Sequence, residues 1–381
     1  MDFSWTEEQL AYKAGVIDFA RHELEGGVIE RDRDAEFSGA GWQSCAKFGI
    51  LGMPIPEEYG GAGADILTTM LTMEGLGYAC QDNGLIFGMN AQMWSVQMPI
   101  LTFGSEKQKR QYLPGLCSGE IIGAHGMSEP GSGSDAFSLR TRAAKVEGGY
   151  ILNGTKTFVT NAPVADVSLV FATIDPTKGM WGVTAFLVDT GTDGFRIGEP
   201  IGKMGLRTAP MAELILQDCF VPTEKRLGPE GVGAKVFDSS MEWERSCILA
   251  SQLGAMERLL EESIQYARER VQFNKPIGKF QSVSNRIVDM KLRLETARLL
   301  LYKVAWLKMM GKPAQLEAAL AKLWLSEAFV ETSLDAVRVH GGYGYTTEFQ
   351  IERQVRDAVG GTLYSGTSDI QRSIIARLMG L

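Results

Sequence analysis

Histidine, paired cysteine and long apolar runs are all scarce in this chain of 381 residues. The three histidines are scattered and the five cysteines include no CxxC pair, so neither a metal site nor a disulfide framework is predicted. No segment approaches the roughly 18 apolar residues of a membrane span, and MDFSWTEEQL lacks the basic and apolar regions of a signal peptide. We therefore expect a reduced, cytoplasmic protein without a membrane segment.

An excess of positive charge is also absent, because 38 Lys and Arg against 46 Asp and Glu give a formal net charge of −8. Nucleic acids and anionic membranes bind concentrated positive fields, so neither is an expected partner. An acidic partner would need a local basic patch, such as the basic residues within 107–110 or 268–275. Such runs are more often simply solvated faces.

Periodicity divides the chain into three regions, which we predict as domains at residues 1–120, 121–232 and 233–381. In the first region, Thr6 and Gln9 form a capping box, and Leu10, Ala14 and Ile17 repeat at helical spacing. The second region has turn dipeptides around short β-prone runs such as SLVFAT and GVTAFLVD. This pattern predicts a small, mostly antiparallel β domain.

The third region returns to helical periodicity. Two apolar stripes step by three and four residues: Leu253, Met256, Leu260, Ile264 and Ala267, then Ile287, Met290, Leu294, Ala297, Leu301 and Val304. They predict long helices in an antiparallel bundle, with the stripes in the core or in an oligomer contact. The predicted fold class is therefore α+β, and mostly α.

Four short stretches combine glycine with hydroxyl or aromatic residues: MSEPGSGSD (127–135), KTFVTNA (156–162), RVHGGYG (338–344) and YSGTSDIQR (364–372). Each alone is weak, since such loops are mostly just turns. Their order and spacing, however, resemble the acyl-CoA dehydrogenase family over essentially the whole chain. The resemblance implies an FAD enzyme with an N-terminal helical domain, a middle antiparallel β domain and a C-terminal four-helix bundle.

The same resemblance implies which residues meet the flavin half of FAD. The matching positions are His125, Met127, Ser128, Ser134, Phe158 and Thr160. Ser128 would bond the pyrimidine edge, Ser134 would lie near the pantetheine arm of the substrate, and Thr160 would donate toward N5. Phe158 stands where Trp is usual and still supplies an aromatic face for the ring system.

The resemblance further implies that a neighbouring subunit holds the ADP half of FAD, and hence a homo-oligomer, most often a tetramer. The matching positions are Arg270, Gln272, Phe273, Gln281, Arg338, Val339, Gly341, Gly342, Thr367 and Asp369. The two glycines would let the backbone approach the pyrophosphate. Arg338 stands where Gln is usual, and its guanidinium could pair with phosphate or with an acid that the sequence does not identify.

The general base is missing from its usual place. Most family members carry a Glu just before the Gly of the C-terminal loop, where this chain has Ser365 and then Gly366. A serine hydroxyl is too weak a base for this work, but small residues here would line the substrate pocket and leave room for a carboxylate. A minority branch takes its Glu from a bundle helix, and MEWERSCILASQLG matches it, with Glu244 as the base and Arg245 to orient it.

Glu242 is the competitor for this role. Two residues on a helix differ by about 200° of rotation, so only one of the two carboxylates can face the cleft. The register to Leu253 and Gly254 favours Glu244, and burial beside a flavin would raise its pKa toward neutrality. Without the family resemblance, a solvated helix carboxylate would be the favoured interpretation.

WERSC together with SGTSDIQR looks closest to the branch that oxidises an L-prolyl group tethered to the phosphopantetheine of an acyl or peptidyl carrier protein. The resemblance implies that Glu244 takes the Cα proton, that the Cβ hydride goes to flavin N5, and that oxygen or an electron-transfer flavoprotein accepts the electrons. Two alternatives stay open: a short branched-chain acyl-CoA dehydrogenase, and a flavoprotein that binds a partner without catalysis.

Overall fold

The computed structural model describes residues 4–381. Its first region is helical, as the periodicity predicted, and α1 begins at the predicted capping box between Thr6 and Gln9. A π-helical turn, Met93–Gln97, joins α5 directly to α6. The helices are α1 (Glu7–Glu23), α2 (Val28–Asp34), α3 (Gly39–Phe48), α4 (Ile66–Ala79), α5 (Asn83–Gln92), α6 (Met98–Phe103) and α7 (Glu106–Ser118).

The middle region forms one twisted sheet. Its strands are β1 (Gly123–Gly126), β2 (Arg142–Val146), β3 (Gly149–Thr160), β4 (Val167–Thr173), β5 (Val183–Asp189), β6 (Phe195–Ile197), β7 (Met211–Pro222) and β8 (Arg226–Leu227). The order across the sheet is β6-β7-β3-β2-β4-β5-β8, and β1 pairs with β4 in parallel. The long ladders between β3 and β7 and between β4 and β5 are antiparallel, which confirms the predicted, mostly antiparallel β domain.

The last region is again helical, with one small hairpin. Its elements are α8 (Gly233–Cys247), α9 (Ala250–Glu269), β9 (Val271–Gln272), β10 (Lys275–Pro276), α10 (Gln281–Met309), α11 (Gln315–His340), α12 (Ile351–Gly361) and α13 (Ser368–Leu378). Helices α9, α10 and α11 pack on one another, and α8, α12 and α13 lie against α11. Both predicted apolar stripes are buried in this bundle, with Ile264 and Ile287 only partly covered.

The N-terminal helices and the bundle meet through two glycines. A Cβ on Gly77 would lie 1.8 Å from the carbonyl oxygen of Ser251, and one on Gly254 would lie 2.0 Å from that of Glu74. Helices α4 and α9 therefore cross with their backbones in contact, which no larger residue would allow. Because α8 ends just before α9, this crossing places α8 against the N-terminal helices.

Within residues 4–381, no helix combines the length and the apolar character needed to cross a bilayer. The boundaries predicted at residues 120 and 232 fall between regular elements, after α7 and before α8. They remain predictions.

Candidate active site

A carboxylate lies buried on α8 between two other elements. Glu244 is 8% exposed. Ser95, in the π-helical turn, donates its hydroxyl to Oε1 of Glu244, and Ser365 donates to Oε2 at 2.5 Å. Each carboxylate oxygen thus accepts one hydroxyl hydrogen and keeps a lone pair free.

Burial raises the pKa of Glu244 to about 7, while the Ser365 hydrogen bond and the charges of Arg245 and Lys322 oppose this rise. A general base works best when its pKa lies near the operating pH. A substantial fraction of Glu244 is therefore ionised at neutral pH, and its carboxylate binds a proton strongly enough to remove one from an activated carbon.

Glu242 points elsewhere. Its Oε1 accepts from Nζ of Lys308 at 2.8 Å, and the same ammonium group lies 4.2 Å from the centre of the Trp243 ring. The two carboxylates of the ER segment therefore have separate partners, as their separation of about 200° on the helix requires.

Side chains from other parts of the chain hold the turn that carries Ser365 by donating hydrogen bonds to its backbone carbonyl groups. Ser365 adopts the left-handed conformation, with φ of 55°, which is uncommon for a residue other than glycine. Gln371 Nε2 donates to the carbonyls of Ser365 and Gly366 at 3.1 and 2.9 Å, and Lys322 Nζ donates to Gly366 at 2.7 Å. Arg245 Nε reaches the Ser365 carbonyl at 3.4 Å, so this arginine contacts the turn rather than the carboxylate.

Lys322 and Ser95 are site residues that the sequence analysis missed. Lys322 is fully buried on α11, where burial lowers its pKa to about 8. Ser95 could have been found from Pro99, four residues later in a helical stretch, because a proline ring clashes with the carbonyl of residue i−4. The helix widens at that point, and the N–H of Met98 bonds to the carbonyl of Met93.

The residues predicted to meet a flavin gather around β1 and the end of β3. The N–H of Thr157 bonds to the Ser128 carbonyl at 2.9 Å, which joins the two segments. Phe158 is 64% exposed, although its φ of 56° places a bulky residue in the left-handed region. A register shift between Lys156 and Val159 in the β3–β7 ladder holds it there. An aromatic ring that a strained backbone holds at the surface is well placed to stack on a planar ring system.

The other residues of this group lie on β3 and on the loop between β1 and β2. Thr160 ends β3 and is half-buried, and Ser134 is exposed in the loop before β2. Met127 is buried, and its carbonyl accepts from Nζ of Lys156 at 3.1 Å. Lys156 also pairs with Glu129 at 2.8 Å, so a buried ion pair supports the loop from below.

His125 connects this group to α8. Its ring lies 5.2 Å from that of Phe171 and 6.0 Å from that of Phe237, between centres. Phe237 precedes Glu244 by seven residues, which is about two turns, so both face the same side of α8. Burial lowers the pKa of His125 to about 4, so the imidazole is neutral at physiological pH.

The residues predicted to meet the ADP half of the cofactor lie on the bundle instead. Phe273, at the tip of the β9–β10 hairpin, is 88% exposed. Gln272 is exposed on β9, and Gln281 begins α10. The Arg270 guanidinium lies 5.7 Å from the Tyr343 ring centre, so the hairpin meets the loop that follows α11.

That loop begins with two open glycines. Gly341 has φ of 63°, and a Cβ on Gly341 or Gly342 would meet no protein atom within 4 Å. Val339 is buried, so only its backbone is available. Arg338 Nη1 donates to Asp335 at 3.0 Å. This acid lies three residues earlier on α11, at a spacing that places the two side chains on one face of the helix, so the sequence analysis could have named it.

Asp335 also binds Arg286 at 2.9 Å and Arg293 at 2.8 Å. With Arg338, three guanidinium groups share one carboxylate. The cluster keeps a surplus of positive charge beside the open glycines.

Two of the residues predicted to contact FAD, Thr367 and Asp369, have hydrogen-bond partners in α13. The Thr367 hydroxyl accepts from the N–H of Ile370 at 3.2 Å and so caps α13. Asp369 is exposed in the first turn of that helix, and Arg372 donates to it at 3.0 Å.

The fold and this site together define the class. Models of the acyl-CoA dehydrogenase N-terminal, middle and C-terminal domains match residues 6–120, 124–219 and 231–380. The chain belongs to the acyl-CoA dehydrogenase family, which confirms the resemblance and the fold class predicted from the motifs.

One relative and two solved structures are similar to this chain over nearly its whole length. An L-prolyl-[peptidyl-carrier protein] dehydrogenase of Pseudomonas fluorescens is 45% identical over 382 residues, covering 100% of both chains. The structure of the prolyl acyl carrier protein oxidase AnaB has a TM-score of 0.98 and 51% identity, covering 99% of this chain and 100% of that one. The structure of PigA with FAD and proline has a TM-score of 0.98 and 40% identity, covering 100% of each.

Proposed function

We propose that this FAD-dependent oxidoreductase removes hydrogen from Cα and Cβ of an L-prolyl thioester carried by an acyl or peptidyl carrier protein. The observation that carries the proposal is the buried Glu244 carboxylate, with its pKa near neutrality, held beside the turn where Ser365 replaces the usual base. Relatives that share the whole length of the chain and act on prolyl carriers support the choice of substrate.

The chain's own residues supply the proton chemistry. Glu244 takes the Cα proton of the thioester onto its carboxylate, and Ser365, a small residue, leaves the space that this carboxylate and the ring of the substrate require. Bound FAD would supply the acceptor for the Cβ hydride, so that loss of the Cα proton and the Cβ hydride would leave a Cα=Cβ double bond in the ring. Phe158 would cover one face of the flavin, with Ser128 and Thr160 as hydrogen-bond partners at its edge.

We also propose an oligomer, most simply a tetramer, in which a second subunit holds the ADP half of FAD. An exposed apolar stripe on α10 supports an assembly: Val288, Leu292 and Leu299 are all more than half exposed. The open glycines and the arginine cluster at the end of α11 suit a pyrophosphate. A cytoplasmic location is part of the proposal, because all five cysteines are free and buried.

The test is anaerobic reduction of the bound flavin. We expect L-prolyl carrier protein to bleach the oxidised-flavin absorbance and isovaleryl-CoA to leave it unchanged. Bleaching only by isovaleryl-CoA would establish the branched-chain acyl-CoA reading instead, and no bleaching by either thioester would favour the non-catalytic one. Adding oxygen or an electron-transfer flavoprotein to the reduced enzyme then identifies the electron acceptor.

The base is tested with a matched pair of variants. Glu244→Gln should slow flavin reduction by a factor on the order of 100 or more, since general acid–base catalysis contributes about that much. Glu242→Gln changes the same residue type two positions away and should reduce the flavin at nearly the wild-type rate. The reverse result would move the base to Glu242.

A further inference from the structure

We propose that Ser95 is a positioning residue for the base, and that Ser95 and Ser365 form a hydroxyl clamp with one hydroxyl on each oxygen of the Glu244 carboxylate. The inference rests on the proposed function, in which Glu244 removes the substrate proton. It adds a residue from the N-terminal helices to a site otherwise built from the bundle.

The two hydroxyl donors of the clamp lie on separate parts of the fold. Ser95 is fully buried in the π-helical turn and donates to Oε1, whereas Ser365 lies in the turn between α12 and α13 and donates to Oε2. A glutamate side chain has three rotatable bonds, and two donors on separate elements remove most of that freedom. The carboxylate plane is then set by the packing of two parts of the fold.

The π-helical turn gives Ser95 its position. Pro99 cannot continue an α-helix over the Ser95 carbonyl, since its ring would collide with it. The extra residue in the turn moves Ser95 outward from the line of the helix and toward α8, which packs on the turn. The other hydroxyl is equally constrained, because Gln371, Lys322 and Arg245 hold the carbonyls of the Ser365 turn.

The hydrogen bond from Ser365 lowers the pKa of Glu244, and in the proposed clamp the hydroxyl of Ser95 acts in the same direction. Burial opposes ionisation of Glu244, and the charged or titratable groups that face it are Arg245 from α8, Lys322 from α11 and Tyr364 beside Ser365. A hydrogen bond donated to a carboxylate favours ionisation, so removing the Ser95 hydroxyl should make Glu244 harder to ionise.

The experiment compares the pH dependence of flavin reduction by L-prolyl carrier protein in wild type and in Ser95→Ala. We expect the acid limb to move up by about one to two pH units, the loss that one charged hydrogen bond represents. Near neutral pH the reduction rate should fall about five-fold or more, with little change in KM. Ser95→Thr, which restores the hydroxyl, should return the profile toward wild type.

Ser246→Ala is the matched control, because Ser246 is buried on α8 and bonds the Glu242 carbonyl at 2.6 Å instead of the base. It should leave the pH profile in place. Ser365→Gly provides a second variant if Ser95→Ala does not fold, since glycine suits the left-handed backbone while the hydroxyl is lost. A wild-type acid limb in Ser95→Ala, or in Ser365→Gly as its replacement, would overturn the clamp.

A readout without substrate separates the two proposals. Infrared titration of the FAD-loaded enzyme, with Glu244→Gln to identify the carboxyl band, measures the protonation of Glu244 directly. If wild type is not reduced by L-prolyl carrier protein, the proposed function fails. A higher pH midpoint for the titration of this band in Ser95→Ala would still support the clamp. If wild type is reduced, but Ser95→Ala changes neither the pH midpoint of the carboxyl band nor the pH dependence of flavin reduction, the clamp alone is wrong.

Discussion

The buried carboxyl group of Glu244, the proposed base, lowers the stability of the folded chain when it is ionised. Its pKa rises from 4.5 to about 7 because the folded chain buries it. A carboxyl with a raised pKa carries no penalty while it is protonated in both states, loses stability as pH rises above the unfolded value, and carries the full penalty above the folded value. A rise of this size corresponds to about 3 kcal/mol.

We therefore predict that Glu244→Gln unfolds less readily than wild type at about pH 8, by up to ~3 kcal/mol, with the gap closing toward about pH 4.5. An uncharged amide keeps the shape of the side chain and can still bond both serines. Urea unfolding across this pH range measures the difference. A gap that widened as the pH fell would show that burial does not raise this pKa.

Phe158 shows backbone strain retained at a binding face. Left-handed backbone costs a non-glycine residue roughly 1–2 kcal/mol. We predict that the apo form of Phe158→Gly is at least as stable as wild type but binds FAD more weakly, since the aromatic face is gone. Unfolding of the apo protein and FAD titration measure the two effects. Phe158→Trp should keep the affinity, and equal FAD binding by the glycine variant would remove Phe158 from the flavin site.

At the scale of elements, the π-helical turn between α5 and α6 is the feature that joins local structure to chemistry. It exists because Pro99 interrupts the α-helical hydrogen bonds, and Ser95 within it donates to Glu244 on α8. π-Helical turns interrupt helices frequently at functional sites.

We predict that Pro99→Ala folds with unchanged or higher stability and reduces its flavin several-fold more slowly, because a regular helix would turn Ser95 away from Glu244. Pro114→Ala is the control, since Pro114 lies inside α7 and substitution there should leave the rate unchanged. Denaturant unfolding and single-turnover flavin reduction are the measurements. A Pro99→Ala enzyme of wild-type rate would show that the turn does not position Ser95.

At the scale of the molecule, the proposed sharing of each FAD between two subunits means that FAD binding depends on assembly. We predict that Leu292→Lys, in the exposed α10 stripe, lowers the sedimentation mass and reduces FAD affinity together. A charge there opposes burial of an apolar face at little cost to the isolated helix. Leu10→Lys changes an exposed leucine of α1 and should do neither. A Leu292→Lys protein of unchanged mass and FAD content would place the subunit contact elsewhere.

Much of the architecture was predictable, because burial repeats with the period of each element. The stripe from Met290 to Val304 and the β-prone run of β4 are determined by local spacing, and both lie in the core. Glu244 could be singled out from the sequence only through the family resemblance, which shows a serine in the usual place of the base and sets the register of the ER segment. Its role as the base remains a prediction. The roles of the cofactor residues remain predictions drawn from the family.

The sequence by itself determined the helices, the strands, the glycine loops and the chain's family, because each depends on residues close together or on motifs in a fixed order. Only the tertiary structure decided that Ser95 and Ser365, 270 positions apart, share one carboxylate, and that Arg286 and Arg293 of α10 pair with Asp335 of α11. Such partners lie on different elements. Their contact depends on how α8 packs against the π-helical turn and how α10 packs against α11, and no local pattern in the chain records this.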